Sequence, residues 1–167
     1  MNKSKTSSIS AYLESYNTIH LHIPEYYKVD SVCLIDNDDI TLSINNKLSN
    51  EKLIVIETSK VLSLREEYYL KINNEIKCLV CIGNITTTNQ FDELNYFDDL
   101  LGYKYHKEFV TFRLWAPVSK VVYLIINDND KYLMNYLDKG VYEITVDNPN
   151  ELLDGLSYHY LIKNDSE

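Results

Sequence analysis

Alternation of apolar and polar residues with a period of two is the feature that most restricts how this chain can fold. In Thr18 to Ile23 the residues Ile19, Leu21 and Ile23 alternate with Thr18, His20 and His22, which puts the apolar set on one face of a strand. Comparable runs recur at Val32 to Ile35, Thr41 to Ile44, Leu53 to Thr58, Tyr68 to Ile72 and Ile76 to Ile82. Polar turn clusters at Asn37-Asp38-Asp39, Asn45-Asn46 and Asn73-Asn74 separate them. Composition points the same way, since 56 of the 167 residues are Ile, Val, Tyr, Thr, Phe or Trp while alanine occurs only at Ala11 and Ala116. One stretch has helical spacing: Ile9, Tyr12, Leu13 and Tyr16 fall at i, i+3, i+4 and i+7, with Ser7 or Ser8 able to cap the start. The expectation is an all-β chain with one short N-terminal helix, its strands spaced as in a β-sandwich.

The polar stretch from Ile85 to Gln90 breaks this pattern, and a boundary near residue 88 divides the chain into a first domain over 1–88 and a second over 89–167. Domains of about 80 residues bury only roughly 60% of their unfolded surface, so each is expected to lean on a neighbour. The second half carries 7 basic and 14 acidic residues against 9 and 11 in the first. Its strands are expected at Val110 to Trp115, Val121 to Ile126, Tyr132 to Leu137, Val141 to Val146 and Tyr158 to Ile162, with Asp138-Lys139-Gly140 turning a hairpin.

A formal charge of −9 and only two arginines, Arg65 and Arg113, argue against nucleic acid, whose binding rests on clustered cations that release counterions. An anionic membrane surface is disfavoured for the same reason. No segment approaches the roughly 20 apolar residues of a membrane span, and the N-terminus lacks the apolar stretch of a signal peptide. Three cysteines, Cys33, Cys78 and Cys81, are odd in number and too few for a disulfide framework. A cytoplasmic protein is expected.

Few constellations carry chemistry. Cys78 and Cys81 have the spacing of a zinc or redox pair, but they lie inside an alternating strand, where residues three apart face opposite ways, so a structural role is expected. His20 and His22 share a strand face and could supply two metal ligands; no third ligand is evident, and a solvated or interdomain face is the competing reading. The pairs Asp38-Asp39, Glu66-Glu67 and Asp98-Asp99 are sequence neighbours that face apart on a strand or stand solvated in turns, unlike two carboxylates flanking a glycosidic bond. Asp128-Asn129-Asp130 lacks the glycine and distant glutamate of a calcium loop and reads as a hairpin tip. The 15 tyrosines could stack on sugar rings, yet most lie in alternating strands where core packing accounts for them. No cofactor motif, metal site or catalytic constellation is found, and with four glycines no Gly-rich phosphate loop can be built.

The stretch Tyr96 to Tyr105, with Leu101-Gly102 followed by Tyr105, leads into Phe112-Arg113-Leu114-Trp115-Ala116-Pro117 and then Val121-Val122-Tyr123-Leu124. This combination resembles the N-terminal region of type I pullulanases. Gly140-Val141-Tyr142 with Val146, and Gly155 with Tyr158 and Tyr160, are similar to later strands of the same module. The resemblance implies that 89–167 is a family 48 carbohydrate-binding-like module, an immunoglobulin-like sandwich of the early set type. It also implies that 1–88 is the N-terminal β-domain of such enzymes. Asp99 departs from the family, which commonly has glycine there, and this bears on the local turn.

The implied parent hydrolyses α-1,6-glucosidic links in pullulan, starch or glycogen by a retaining two-carboxylate route. Its catalytic groups belong to a (β/α)8 barrel, none of whose motifs occurs here, so no catalytic residue is assigned and the substrate-binding residues stay unspecified. The partners implied are the catalytic barrel of the same polypeptide and, as a candidate ligand, an α-glucan. A stand-alone glycan-binding or protein-interaction module is the alternative. Trp115 keeps two readings: a sugar-stacking platform, or a ring packed against the module's own turn, with Phe112 and Leu114 on the opposite, core face.

Overall fold

The structure, a computed structural model, describes residues 8–35, 41–42, 44–50 and 53–164, the side chains of 41–50 and Asn150 excepted. The turn expected at Asn37-Asp38-Asp39 lies outside the described residues. Two compact units divide the chain, residues 1–91 and 92–167.

The first unit contains β1 (Ser10–Ser15), β2 (Thr18–His22), β3 (Val32–Ile35), β4 (Thr41–Leu42), β5 (Ile44–Asn50), β6 (Leu53–Thr58), β7 (Tyr69–Ile72) and β8 (Ile76–Ile82). They hydrogen-bond in the order β4-β3-β7-β8-β1-β2-β6-β5. The joint is β8, whose residues Ile76 to Leu79 pair antiparallel with β7 while Val80 to Ile82 pair parallel with β1. Alternate residues supply the buried face: Ala11, Leu13, Ile19, Leu21, Ile54 and Ile56 on one side of that joint, and Val32, Leu34, Leu70 and Ile72 on the other.

Two expectations fail in this unit, both because pairing supplies what local preference lacks. The N-terminal helix expected around Ile9 to Tyr16 is strand β1, flanked by β2 and β8, so its backbone groups are satisfied by two neighbours. The same apolar residues satisfied both periods, and burial of Ala11 and Leu13 around an exposed Tyr12 shows that the period of two prevails. Asn45 and Asn46 form no turn but sit within β5, opposite Glu57 and Ile56, and the run expected from Thr41 to Ile44 is shared between β4 and β5. The Asn73-Asn74 turn does occur, with φ of 51° and 59°. Asn73 Oδ1 accepts from the N–H groups of Asp30 and Ser31 at 2.8 and 3.1 Å, tying the hairpin to the start of β3.

Past β8 the polar break is a 3-10 turn over Asn84–Thr87 followed by α1 (Asn89–Asn95), the helix of this mostly β structure. Thr88 Oγ1 accepts from Phe91 N–H at 3.1 Å and so caps the helix start.

The second unit contains β9 (Gly102–Tyr105), β10 (Phe109–Trp115), β11 (Val121–Ile126), β12 (Asp130–Leu133), β13 (Asn135–Tyr136), β14 (Val141–Asp147) and β15 (Tyr158–Lys163). A four-stranded sheet, β13-β14-β10-β9, faces a three-stranded one, β12-β11-β15. Val110, Phe112, Val122, Leu124, Ile126, Met134, Tyr142 and Val146 form a single buried cluster between them, as an immunoglobulin-like sandwich of the early set type requires. The single strand expected over Tyr132 to Leu137 is interrupted at Met134, where the chain leaves one sheet for the other. Met134 itself is buried, and its N–H donates to Val122 O at 2.9 Å. Asp138-Lys139-Gly140 turns the hairpin between β13 and β14, with φ of 47° at Lys139 and 79° at Gly140. A Cβ at position 140 would stand 2.5 Å from Pro117 Cβ, so this turn presses against the Trp-Ala-Pro segment.

Candidate functional site

Alternation along β10 decides which side chains meet solvent. Val110, Phe112 and Leu114 turn to the core, so Thr111, Arg113 and Trp115 lie on the outer face of the four-stranded sheet. There Arg113 is opposite Glu143 in register, and its Nε donates to Glu143 Oε2 at 2.5 Å while Nη1 donates to Asp99 Oδ2 at 2.6 Å. The two carboxylates push the guanidinium further up. Asp99 is held below its ordinary value, first by the Leu100 N–H that donates to Oδ1 at 2.8 Å and then by Arg113. Asp99, in the lead-in to β9, thus has an ionic partner in Arg113. Beside Arg113 the hydroxyls of Thr111 and Thr145 bond each other at 3.0 Å, and His106 stacks on Phe109 with 4.4 Å between ring centres. Asp99, Lys104, His106, Thr111, Arg113 and Glu143 line an open concavity of about 250 Å³ here. Charged and hydroxyl groups on one side of a shallow dish, beside an aromatic ring, can hydrogen-bond and stack on a polyol.

Trp115 ends the same row. Its Nε1–H is shared between Asn95 O at 2.8 Å and Lys139 O at 3.1 Å, which fixes the indole against the β13–β14 turn. The residue nevertheless keeps 42% of its surface in solvent.

A second concavity, of about 420 Å³, opens at the edge of the sandwich between β9 and β15, where Tyr103, Tyr105, Tyr158, Leu153 and Leu156 meet. Tyr105 is pushed up by desolvation and then by the carboxylates of Asp154 and Glu151. Asn148, wholly buried, accepts from Leu153 N–H at 2.8 Å and so holds the segment that forms one wall.

The remaining sequence candidates stay apart. Cys78 is opposite Leu70 and Cys81 opposite Tyr12, and the Cys78 thiol is pushed up by burial and then by Cys81, which works against thiolate chemistry. His20 and His22 lie with their ring centres 6.5 Å apart, and Tyr12 meets His22 edge-on at 5.8 Å. Among the described residues no three His, Cys, Asp or Glu side chains gather as a metal site would need. Glu66 and Glu67 each accept from a tyrosine hydroxyl, of Tyr68 and Tyr69, both at 2.8 Å. Asp98 and Asp99 diverge in role, since only Asp99 meets Arg113. Asp38-Asp39 lies outside the described residues. Asp128-Asn129-Asp130 is the β11–β12 hairpin tip, with φ of 61° at Asp128. Sequence reasoning passed over the Arg113–Glu143–Asp99 cluster; the available signal was an arginine on the outer face of a strand, two residues before an outward tryptophan.

Residues 100–167 match carbohydrate-binding module 48 (isoamylase N-terminal domain). Along 96% of its length the chain is 26% identical to 23% of the pullulanase of Bacillus subtilis. The crystal structure of type I pullulanase from that organism, complexed with maltose, superposes on 99% of the chain with a TM-score of 0.77 and 25% identity, again over 24% of its own length. The chain matches the N-terminal region of pullulanases. A pullulanase from Anoxybacillus, complexed with maltotriose, shares the fold over 93% of the chain with a TM-score of 0.77 at 22% identity. The chain therefore spans about a quarter of the length of its pullulanase relatives. Within that quarter the portion matched is non-catalytic, and the family 48 module accounts for residues 100–167.

Proposed function

We propose that this chain is the N-terminal accessory region of a pullulanase-type debranching enzyme, which braces a catalytic barrel of the same polypeptide and adds an α-glucan contact surface to it. The observation that supports this reading is alignment through both units: one curated pullulanase is matched over 96% of the chain, and not over the module alone. The glucan surface is the outer face of the four-stranded sheet, where the exposed ring of Trp115 stands in line with Arg113, Thr111 and the carboxylates of Asp99 and Glu143. Stacking on the ring and charge-assisted hydrogen bonds to sugar hydroxyls are the interactions such a surface offers. The bonds holding the indole N–H leave the ring as a fixed platform, which lowers the entropy lost on binding.

The test is native electrophoresis of residues 1–167 through gels with and without glycogen, beside a reducing-end assay on pullulan. Retardation by glycogen with no release of reducing ends is expected. Mobility that ignores glycogen would remove the glucan surface, and hydrolysis by this fragment alone would overturn the accessory reading.

A further inference from the structure

Strand β2 lies inside the eight-stranded sheet, held by β1 on one side and β6 on the other. Ile19 and Leu21 are wholly buried, which turns His20 and His22 together onto the outer face. His20 is directly opposite Tyr12 and Val55, and His22 directly opposite Ser10 and Leu53. No charged side chain is thus directly opposite either imidazole. Their ring centres are 6.5 Å apart with planes at 74°, and Tyr12 meets His22 edge-on at 5.8 Å. Among the described residues both side chains make ring contacts only, so their ring nitrogens have no protein partner.

A structural role does not account for this pair. Neither ring fills the core, neutralises a charge or caps a turn, whereas an imidazole with a free nitrogen is the commonest metal ligand among side chains. Zn–N bonds of about 2.0–2.1 Å in a tetrahedral site set two ring centres about 5 Å apart. Rotations of roughly 15° at each χ1 can bring the rings from 6.5 Å to that spacing, inside one staggered well. Pairing on both sides of β2 fixes the backbone that carries them. Cys81 shares this face but is opposite Tyr12, and so two interstrand steps, about 9–10 Å, from His20, too far to join them.

We propose that His20 and His22 chelate a late first-row divalent cation on the outer face of β2, through one nitrogen of each ring. Nitrogen donors select this class over Mg²⁺ and Ca²⁺, which take oxygen, and within it Cu²⁺ binds more tightly than Zn²⁺. A closed structural centre takes four protein ligands, and among the described residues no third His, Cys, Asp or Glu joins these two. The ion is therefore open to solvent: water fills its remaining positions, and the Tyr12 ring beside His22 forms one wall. Protons compete for the same nitrogens, so binding weakens as pH falls. An ion that binds only the folded strand also stabilises the first unit by mass action.

The test titrates residues 1–167 with Zn²⁺ and follows the imidazole nitrogens by long-range proton–nitrogen NMR. Competition with a chromophoric chelator gives the affinity, and Mg²⁺ serves as the oxygen-seeking control. Expected are ring nitrogens of His20 and His22 that shift together at one ion per chain, and at least tenfold weaker binding in His20→Gln and in His22→Gln alike. His159→Gln and Cys81→Ser should bind as the parent chain does, and Mg²⁺ at least tenfold more weakly than Zn²⁺. The proposal is overturned if neither ring shifts at millimolar Zn²⁺, or if the two rings respond at different concentrations. It is overturned equally if either single-histidine variant keeps the full affinity, if Cys81→Ser or His159→Gln abolishes binding, or if Mg²⁺ binds as well as Zn²⁺.

Discussion

The two flanks of the second unit use the same kinds of residue and are covered very differently. On one flank the chain crosses between sheets at Met134, and the core beneath it, Val122 and Leu124 included, is sealed. On the other flank Tyr103 and Ile162 occupy equivalent core-facing positions and stay exposed. What differs is neither hydrophobicity nor strand propensity but whether a further described segment lies alongside. Burial in a sandwich is thus a property of the neighbours on both sides of a strand, and a residue's pattern in sequence states only which way it points.

That contrast sets the order of mutational effects. Leu124→Ala, on the sealed side, removes a fully buried side chain and is expected to cost about 2–5 kcal/mol. In a chain of this size that corresponds to a fall in melting temperature on the order of ten degrees, measured by circular dichroism. Next is Gly140→Ala, which forces an L side chain to φ of 79° against Pro117 and should cost about 1–3 kcal/mol. Its second consequence is sharper: moving the turn loosens the Lys139 carbonyl that holds Trp115, so the indole fluorescence should change along with stability. Ile162→Ala, on the open side, should cost under about 1 kcal/mol, because much of that side chain is already in water. Equal losses for Leu124→Ala and Ile162→Ala in chemical denaturation would abolish the distinction between the flanks.

Much of this architecture is legible in the residues themselves. The limits of β3, β6, β8 and β11 coincide with the alternating runs read from sequence. Failures come where two neighbours act at once. Ile9 to Tyr16 fits a helical period, and only its pairing to β2 and β8 fixes it as strand. Gly102–Tyr105 is too short and too polar to stand out, and it becomes a strand because Val110 and Phe112 present an edge to it. Most of the candidate surface was illegible for the same reason: register sets Arg113 opposite Glu143, and the loop before β9 brings Asp99 to the same guanidinium. Trp115 was the exception, since its company with Ala116-Pro117 already suggested the turn that now takes its N–H.

The smallest effect tests how deeply the open flank admits solvent. Tyr160, half-buried between the exposed Tyr158 and Ile162, has its hydroxyl pushed up to about 12 by burial and secondarily by Tyr158. An unfolded tyrosine ionises near 10. With the folded value raised, this group's contribution to stability is intact below about pH 10 and is lost as pH climbs through about 12, because only the unfolded chain can release the proton in that window. Titration of tyrosinate absorbance should therefore show one component lagging the rest, and Tyr160→Phe should delete it while leaving the neutral-pH melting temperature nearly unchanged. A Tyr160 that titrates with the exposed tyrosines would mean that water already reaches past the edge of β15 to Leu124, its neighbour in the adjoining strand.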